Sequence, residues 1–138
     1  MADNDCRYGT VREVQLGFAE AVRSMEAALQ AEGFGVLCQI DIQAKLKEKL
    51  GVASPRYVIL GACNPALAQQ ALANDVNVGL LLPCNAVVYE RDGRTYAGVV
   101  DAGTMLAVTG SSALAPVARQ VTERLGRVLA AVAAAAKK

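Results

Sequence analysis

The side chains with the most distinctive chemistry in this sequence are cysteines, and two of them stand in similar short motifs. Residues 63–65 read Cys-Asn-Pro, and residues 83–85 read Pro-Cys-Asn. Each motif falls where an extended segment is predicted to end or bend, and binding residues often lie in such places. If the two thiols approach each other, they would hold a small ligand, a soft metal or a sulfur species. The predicted ligand-binding residues are therefore Cys63, Asn64, Cys84 and Asn85, with Cys63 and Cys84 as the candidate metal ligands.

Two other interpretations of these cysteines stay open. Cys63 is predicted to lie just before a helix N-terminus, where backbone N–H groups and the helix dipole can lower a thiol pKa. It would then be the attacking thiolate of a redox enzyme or sensor, with Cys84 as the resolving partner. Alternatively, the cysteines only fill space, since free cysteine is often buried and the sequence has no Cys-x-x-Cys motif. Cys38 is predicted to be a core residue and Cys6 an incidental thiol.

The composition excludes several classes of function. The chain has no histidine, which removes Ser-His-Asp and Cys-His catalysis, histidine metal ligands and imidazole acid–base chemistry. With 14 basic and 13 acidic residues the net charge is +1, and no basic stripe is present that would neutralise phosphates. We therefore expect no nucleic-acid partner. The sequence leans away from an enzyme and identifies no cofactor.

Neither a targeting segment nor a membrane helix is recognisable. The first eight residues are polar and lack the basic start and apolar run of a signal peptide. The longest apolar stretch, Val78 to Tyr89, contains Pro83 and is shorter than the roughly 20 residues that a membrane helix needs. We expect no membrane partner and a cytoplasmic location, in which the thiols are reduced.

The elements that must position the two motifs follow from hydrophobic periodicity and capping residues. Asp41 is predicted to cap a short helix that Gly51 ends in the left-handed conformation, and Asn64 is predicted to cap the helix that begins at Pro65. In the strand before Asp41, alternation puts Val36 and Cys38 on one face with Ile40. The predicted elements are a strand at Tyr8–Val14, a helix from Phe18 to Gly33, a strand at Gly35–Asp41, a short helix to Leu50, a strand at Tyr57–Ala62 and a helix to about Asn74.

A hairpin is predicted around Asp92 and Gly93, a dipeptide typical of two-residue turns. The segment Val78–Glu90 before it is expected to be extended and bent at Pro83. Asp101, Glu90 and Arg91 near the hairpin are expected to be solvated edge charges. Counting from the turn pairs Arg91 with Arg94, Tyr89 with Tyr96 and Cys84 with Asp101.

A long alanine-rich helix is predicted at about residues 113–136, capped by a serine at position 111 or 112. Its apolar residues recur in steps of four and three, as in a coiled-coil seam. The seam would either pack across the sheet or pair with a second subunit. Because 54% of the chain is hydrophobic, the second possibility motivates a homo-oligomeric assembly protein with purely structural cysteines, in which charged residues at Val121 and Leu125 would disrupt association. The seam residues are Leu114, Ala118, Val121, Leu125, Val128 and Val132.

Helices mixed with an antiparallel hairpin indicate a single α+β domain over residues 1–138. Several motifs also resemble the bacterial domain-of-unknown-function family 302, over about residues 8–108 and without the C-terminal helix. Members often carry Asp-Pro after the second hairpin strand, where this chain has Asp101-Ala102. The segments that carry the resemblance are Gly33-Phe34-Gly35-Val36, the strand running into Asp41, Leu46-Lys47, Gly51, the run from Tyr57 to Pro65 and the run from Leu81 to Val88.

The resemblance implies an α+β fold with a curved, largely antiparallel sheet and helices packed on it. It also implies a dimer. It implies no established activity, so the function must be argued from the residues themselves.

Overall fold

The computed structural model describes residues 6–135 and contains one five-stranded antiparallel sheet. The strands lie in the order β1-β5-β4-β3-β2, so the hairpin strands β4 and β5 occupy the middle of the sheet. The predicted α+β class is confirmed, and the three strands predicted before the hairpin are present within one residue of their expected bounds. The strands are β1 Gly9–Val14, β2 Gly35–Asp41, β3 Tyr57–Cys63, β4 Cys84–Arg91 and β5 Arg94–Val100.

Two helices begin where capping residues in the sequence predict a helix start. Asp41 accepts a hydrogen bond from the backbone N–H of Ala44, and Gly51 ends the same helix with a left-handed φ of 66°. Asn64 caps the next helix, whose first residue is Pro65. Both cap predictions are confirmed. The helices are α1 Phe18–Ala31, α2 Ile42–Leu50, α3 Pro65–Asn74, α4 Ala102–Ala107 and α5 Ala115–Ala134, with 3₁₀ helices at Val76–Leu81 and Ser112–Leu114.

The core lies between one face of the sheet and the helices α1 and α5. Met25 and Leu29 of α1 are fully buried there with Leu60 of β3 and Val88 of β4. Every residue of the predicted α5 seam is buried in this core. Of the two alternatives left open, the seam packs across the sheet, because its apolar face is covered within the chain. Ala136, the predicted last residue of α5, lies outside the described residues.

The hairpin register is confirmed, whereas the segments on either side of it differ from prediction. Arg91 pairs with Arg94 and Tyr89 with Tyr96, as counting from the turn requires. The segment expected to be extended from Val78 instead begins as a 3₁₀ helix, because the Asp75 carboxylate caps it through the N–H of Asn77.

Two further corrections concern polar residues near helix starts. Asp101 ends the hairpin as the N-cap of α4, accepting from the N–H of Thr104, so it is not a solvated edge charge. Neither serine caps the last helix: the N-cap of α5 is Leu114, without a side-chain hydrogen bond, and Pro116 stands in the first turn.

A β-bulge moves Cys38 to the side of the sheet away from α1 and α5. The register of β2 against β3 shifts between Val36 and Cys38, so that Val36 pairs with Ala62 and Cys38 pairs with Gly61. Val36 packs against the core, whereas Cys38 is exposed. The prediction that Cys38 is a core residue on the same face as Val36 is therefore wrong, since one extra residue in a strand reverses the faces that follow it.

Candidate functional site

The two cysteine motifs meet at one end of the sheet. Cys84 begins β4 and pairs with Ala62 of β3, and Cys63 is the next residue of β3 and its last. Strand alternation alone would direct the two thiols to opposite faces. They nevertheless contribute to the same cavity, because this cavity lies at the end of the sheet where β3 gives way to α3. The residue order Cys-Asn-Pro thus places a thiol, a helix cap and the first helical residue beside Cys84.

The cavity has a volume of about 210 Å³ and mostly apolar walls. The polar residues that line it are Cys63, Asn64, Cys84 and Asn85, which are the four predicted ligand-binding residues. Most of the remaining wall comes from the 3₁₀ helix Val76–Leu81 and from α3, α4 and α5. The apolar lining includes Phe34, Leu67, Leu81, Met105, Leu106 and Val121.

Burial is the main electrostatic influence on Cys84. Burial, and to a smaller extent the neighbouring Cys63, raises the pKa of this thiol from 9.0 to about 11. At neutral pH Cys84 therefore carries its proton, because a thiolate would lose solvation in the apolar wall and would repel a negative charge on Cys63. The same contribution from Cys63 indicates that the two thiols interact.

The two asparagines have different roles. Asn64 Oδ1 accepts a hydrogen bond of 3.2 Å from the backbone N–H of Leu67, which closes the first turn of α3. The Asn64 amide nitrogen lies next to Gly33, where a Cβ would be 3.0 Å away. Asn85 pairs through its backbone with Gly61, and its exposed side chain lines both the cavity and a groove on the neighbouring sheet face. Asn64 is thus a structural support, and Asn85 stands at the rim.

A family model for the domain of unknown function DUF302 matches residues 10–132. This chain belongs to the DUF302 family. The match extends past residue 108, where the sequence motifs end, and includes most of α5. A solved structure agrees with this membership. The crystal structure of an uncharacterized conserved DUF302 protein from Bacillus stearothermophilus superposes on this chain with a TM-score of 0.86, and the two sequences are 33% identical. The similarity covers 92% of this chain and 99% of that one, and no match was found among curated proteins.

The other two thiols of this DUF302 chain lie elsewhere. Cys6 is exposed and lines the groove on the sheet face, and its thiol lies 3.6 Å from the carbonyl oxygen of Gly9. Cys38 contacts the region of Gly61 and Pro83 from outside the cavity, since a Cβ on Gly61 would lie 2.6 Å from its sulfur. Of the four cysteines, only Cys63 and Cys84 line the cavity.

The ligand set of the DUF302 cavity is small. Among residues 6–135 there is no group of three or more His, Cys, Asp or Glu side chains that could hold a metal ion. The third sulfur of the cavity belongs to Met105 of α4, which the sequence analysis did not single out. A signal for it existed: Asp is a favoured helix cap, and the hairpin count sets Asp101 opposite Cys84, so a helix capped by Asp101 would begin close to the second cysteine motif. No helix of the described residues is long and apolar enough to cross a membrane.

Proposed function

We propose that this chain is a binding module that holds a small thiophilic ligand, either a soft metal ion or a sulfur species, in the cavity at Cys63 and Cys84. The observation that carries the proposal is that these two thiols, and neither of the other two, line one cavity with apolar walls. A few convergent polar groups in an apolar pocket are typical of ligand sites.

The size of the cavity limits the ligand. Drug-sized ligands occupy pockets of about 300–1,000 Å³, and the cavity at the thiols has about 210 Å³. Since a water molecule takes about 30 Å³ of liquid, the space suits an ion or a ligand of a few heavy atoms. Apolar walls and thiols favour polarisable atoms over hard, strongly hydrated ions.

The protonated state of Cys84 opposes a role as the resolving thiolate of a redox enzyme. A resolving cysteine attacks as a thiolate, and burial that raises the Cys84 pKa to about 11 makes this form scarce at neutral pH. A metal that bonds to this sulfur displaces the proton, so its binding should strengthen as the pH rises. The proposal retains the expected cytoplasmic location, where thiols remain reduced.

The test is a titration of the reduced protein with Cu(I), zinc and a persulfide donor, with bound species counted by native mass spectrometry. The Cys63→Ser, Cys84→Ser double variant is expected to lose binding. The matched control is the Cys6→Ser, Cys38→Ser double variant, which removes the same number of thiols outside the cavity and should bind as the parent does. Binding that survives in the first variant, or disappears in the control, would contradict the proposal.

A second candidate function is homo-oligomeric assembly through the sheet face opposite the core, in line with the dimer that the sequence analysis expects. A groove of about 850 Å³ crosses this face, with Ile59 and Val87 on its floor and Ile42 and Leu46 of α2 along its wall. No residue of α2 is buried within the chain. An amphipathic helix beside a partly apolar sheet face favours a partner surface of the same composition.

Light scattering tests this second candidate. The parent protein is expected to have the mass of two chains, and Val87→Glu is expected to have the mass of one, because a buried unpaired charge opposes association. Val108→Glu is the matched control, since Val108 is 75% exposed and does not line the groove. A parent mass equal to one chain would remove this candidate.

A further inference from the structure

Three sulfur atoms, not two, belong to residues that line the small cavity. Met105 stands in α4, which begins directly after β5 and packs beside the 3₁₀ helix. Asp101 fixes the start of α4 by accepting from the N–H of Thr104, the residue before Met105. Because α4 is anchored at Asp101 and packs against α5, the fold holds Met105 in the lining of the cavity that Cys63 and Cys84 also line.

From this set we infer that the cavity is a site for a monovalent soft cation, Cu(I), bound by the sulfur atoms of Cys63, Cys84 and Met105. The inference rests on the proposed function and specifies its ligand. Thiolate and thioether sulfur together select Cu(I) among biological metals. Zinc is excluded by ligand number, since structural zinc sites need four nitrogen, oxygen or thiolate ligands, and residues 6–135 offer no group of even three.

The charge and proton balance of this site can be written out. Cu(I) enters without a change of oxidation state, two Cu–S bonds form at the cysteines, and two thiol protons go to solvent. The resulting centre carries one net negative charge, because two thiolates surround one monovalent cation. Cys63 directly precedes the Asn64 cap of α3, and the N-terminus of this ten-residue helix favours a negative charge beside it.

The apolar wall gives the site its selectivity. Leu67, Leu81 and Leu106 contribute an apolar wall to the cavity that the two cysteines line, so an ion that keeps its hydration shell gains little by entering. Cu(I) exchanges its solvent ligands for sulfur and does not need further oxygen donors.

Titration with Cu(I) against a chelator of known affinity, combined with X-ray absorption at the copper edge, tests the inference on the full chain. We expect one Cu(I) per chain with three sulfur neighbours, and zinc in excess should not displace it. Met105→Leu keeps the volume of the side chain and removes its sulfur. It should reduce the sulfur count to two and weaken Cu(I) binding at least about tenfold, the scale of effect seen when groups around a metal are removed. Met25→Leu, a core methionine that does not line the cavity, should change neither.

The outcomes separate this inference from the proposed function. If the parent binds Cu(I) through two sulfurs and Met105→Leu binds equally well, the three-sulfur site is refuted and the binding module stands. If Cu(I) does not bind but a persulfide donor modifies Cys63 or Cys84, the metal is refuted and the binding module again stands. If neither ligand binds, both are refuted. Should Met105→Leu fail to fold, the sulfur count of the parent decides by itself.

Discussion

Cys63 directly follows Ala62 in β3, and Ala62 is the residue that pairs with Cys84 in β4. The two motifs therefore owe their meeting to strand register, not to nearness in sequence. A shift of one residue in this pairing would exchange the faces of β4 and turn Cys84 away from the core side of the sheet. The register is held by the paired backbone and by Tyr57 and Tyr89, whose rings stack at 5.3 Å farther along the same two strands.

Ionisation of Cys84 should make the protein less stable in alkali. The pKa of this thiol is about 11 in the folded chain, against 9.0 without burial. Between these values the unfolded chain releases the proton while the folded chain keeps it, so rising pH favours unfolding. The stabilisation is complete below about pH 9, and we expect a loss of about 1–3 kcal/mol in the free energy of unfolding by about pH 11. Urea unfolding across this range measures it.

The control for this prediction is Cys84→Ala. Other groups also titrate in alkali, so the informative quantity is the difference between the parent and the variant at each pH. If the two unfolding free energies fall in parallel, the thiol does not have the raised pKa that its burial implies.

Asn64→Ala should lower the free energy of unfolding by about 1 kcal/mol, the usual value of a lost N-cap. The variant removes the acceptor for the N–H of Leu67. Asn64→Asp keeps that acceptor, so the free energy of unfolding should stay close to that of the parent. The negative charge at the helix start contributes favourably to it. Asp41→Ala removes the cap of α2 in the same way, yet only the change at Asn64 should also weaken ligand binding. Equal binding in both alanine variants would separate Asn64 from the cavity.

Gly61→Ala should destabilise the fold by about 1–3 kcal/mol, as overpacking does. The new methyl group would lie 2.6 Å from the sulfur of Cys38 and 2.9 Å from Cγ of Pro83. Cys38→Ala in the same chain should restore only part of the loss, because it removes the sulfur while the proline ring remains. A double-mutant cycle in urea gives the coupling, and full recovery in the double variant would mean that Pro83 moves freely.

Two adjacent residues of α5 should respond in opposite directions. Leu125→Ala should cost about 2–5 kcal/mol, since it leaves a cavity in the core between α5 and the sheet. Gly126→Ala should gain up to about 1 kcal/mol, because a Cβ there meets nothing within 4 Å and alanine is the better helix former. Thermal unfolding of the two variants checks both signs, and a destabilised Gly126→Ala would show that α5 needs the glycine for another contact.

The sequence was most informative where one local cause decides the structure. Asp41, Asn64 and Gly51 act within their own helix turns, so capping residues alone located the ends of α2 and the start of α3. The dipeptide at 92–93 determined the pairing of Tyr89 with Tyr96 by counting. The end of a buried strand was likewise recognisable at Cys63, although its meeting with Cys84 in one cavity depends on the pairing of β3 with β4.

What could not be predicted depends on contacts between distant segments. The bulge between Val36 and Cys38 reverses a face, and alternation within β2 contains no sign of it. The helix α4 was missed because it has only six residues and too few apolar positions for a period to show. Met105 was overlooked with it, and the choice between core packing and subunit pairing for α5 needed the sheet on which the helix lies.

The walls of the cavity come from α3, α4, α5 and the ends of β3 and β4, which are far apart along the chain. No unfolded or half-folded chain presents this set of groups together, so a ligand of the cavity binds only the folded state. Its binding free energy then adds to that of folding, by about 2.7 kcal/mol at a concentration one hundred times the dissociation constant. The melting temperature of the protein is therefore a reporter of occupancy for any compound, including those that leave no spectroscopic trace.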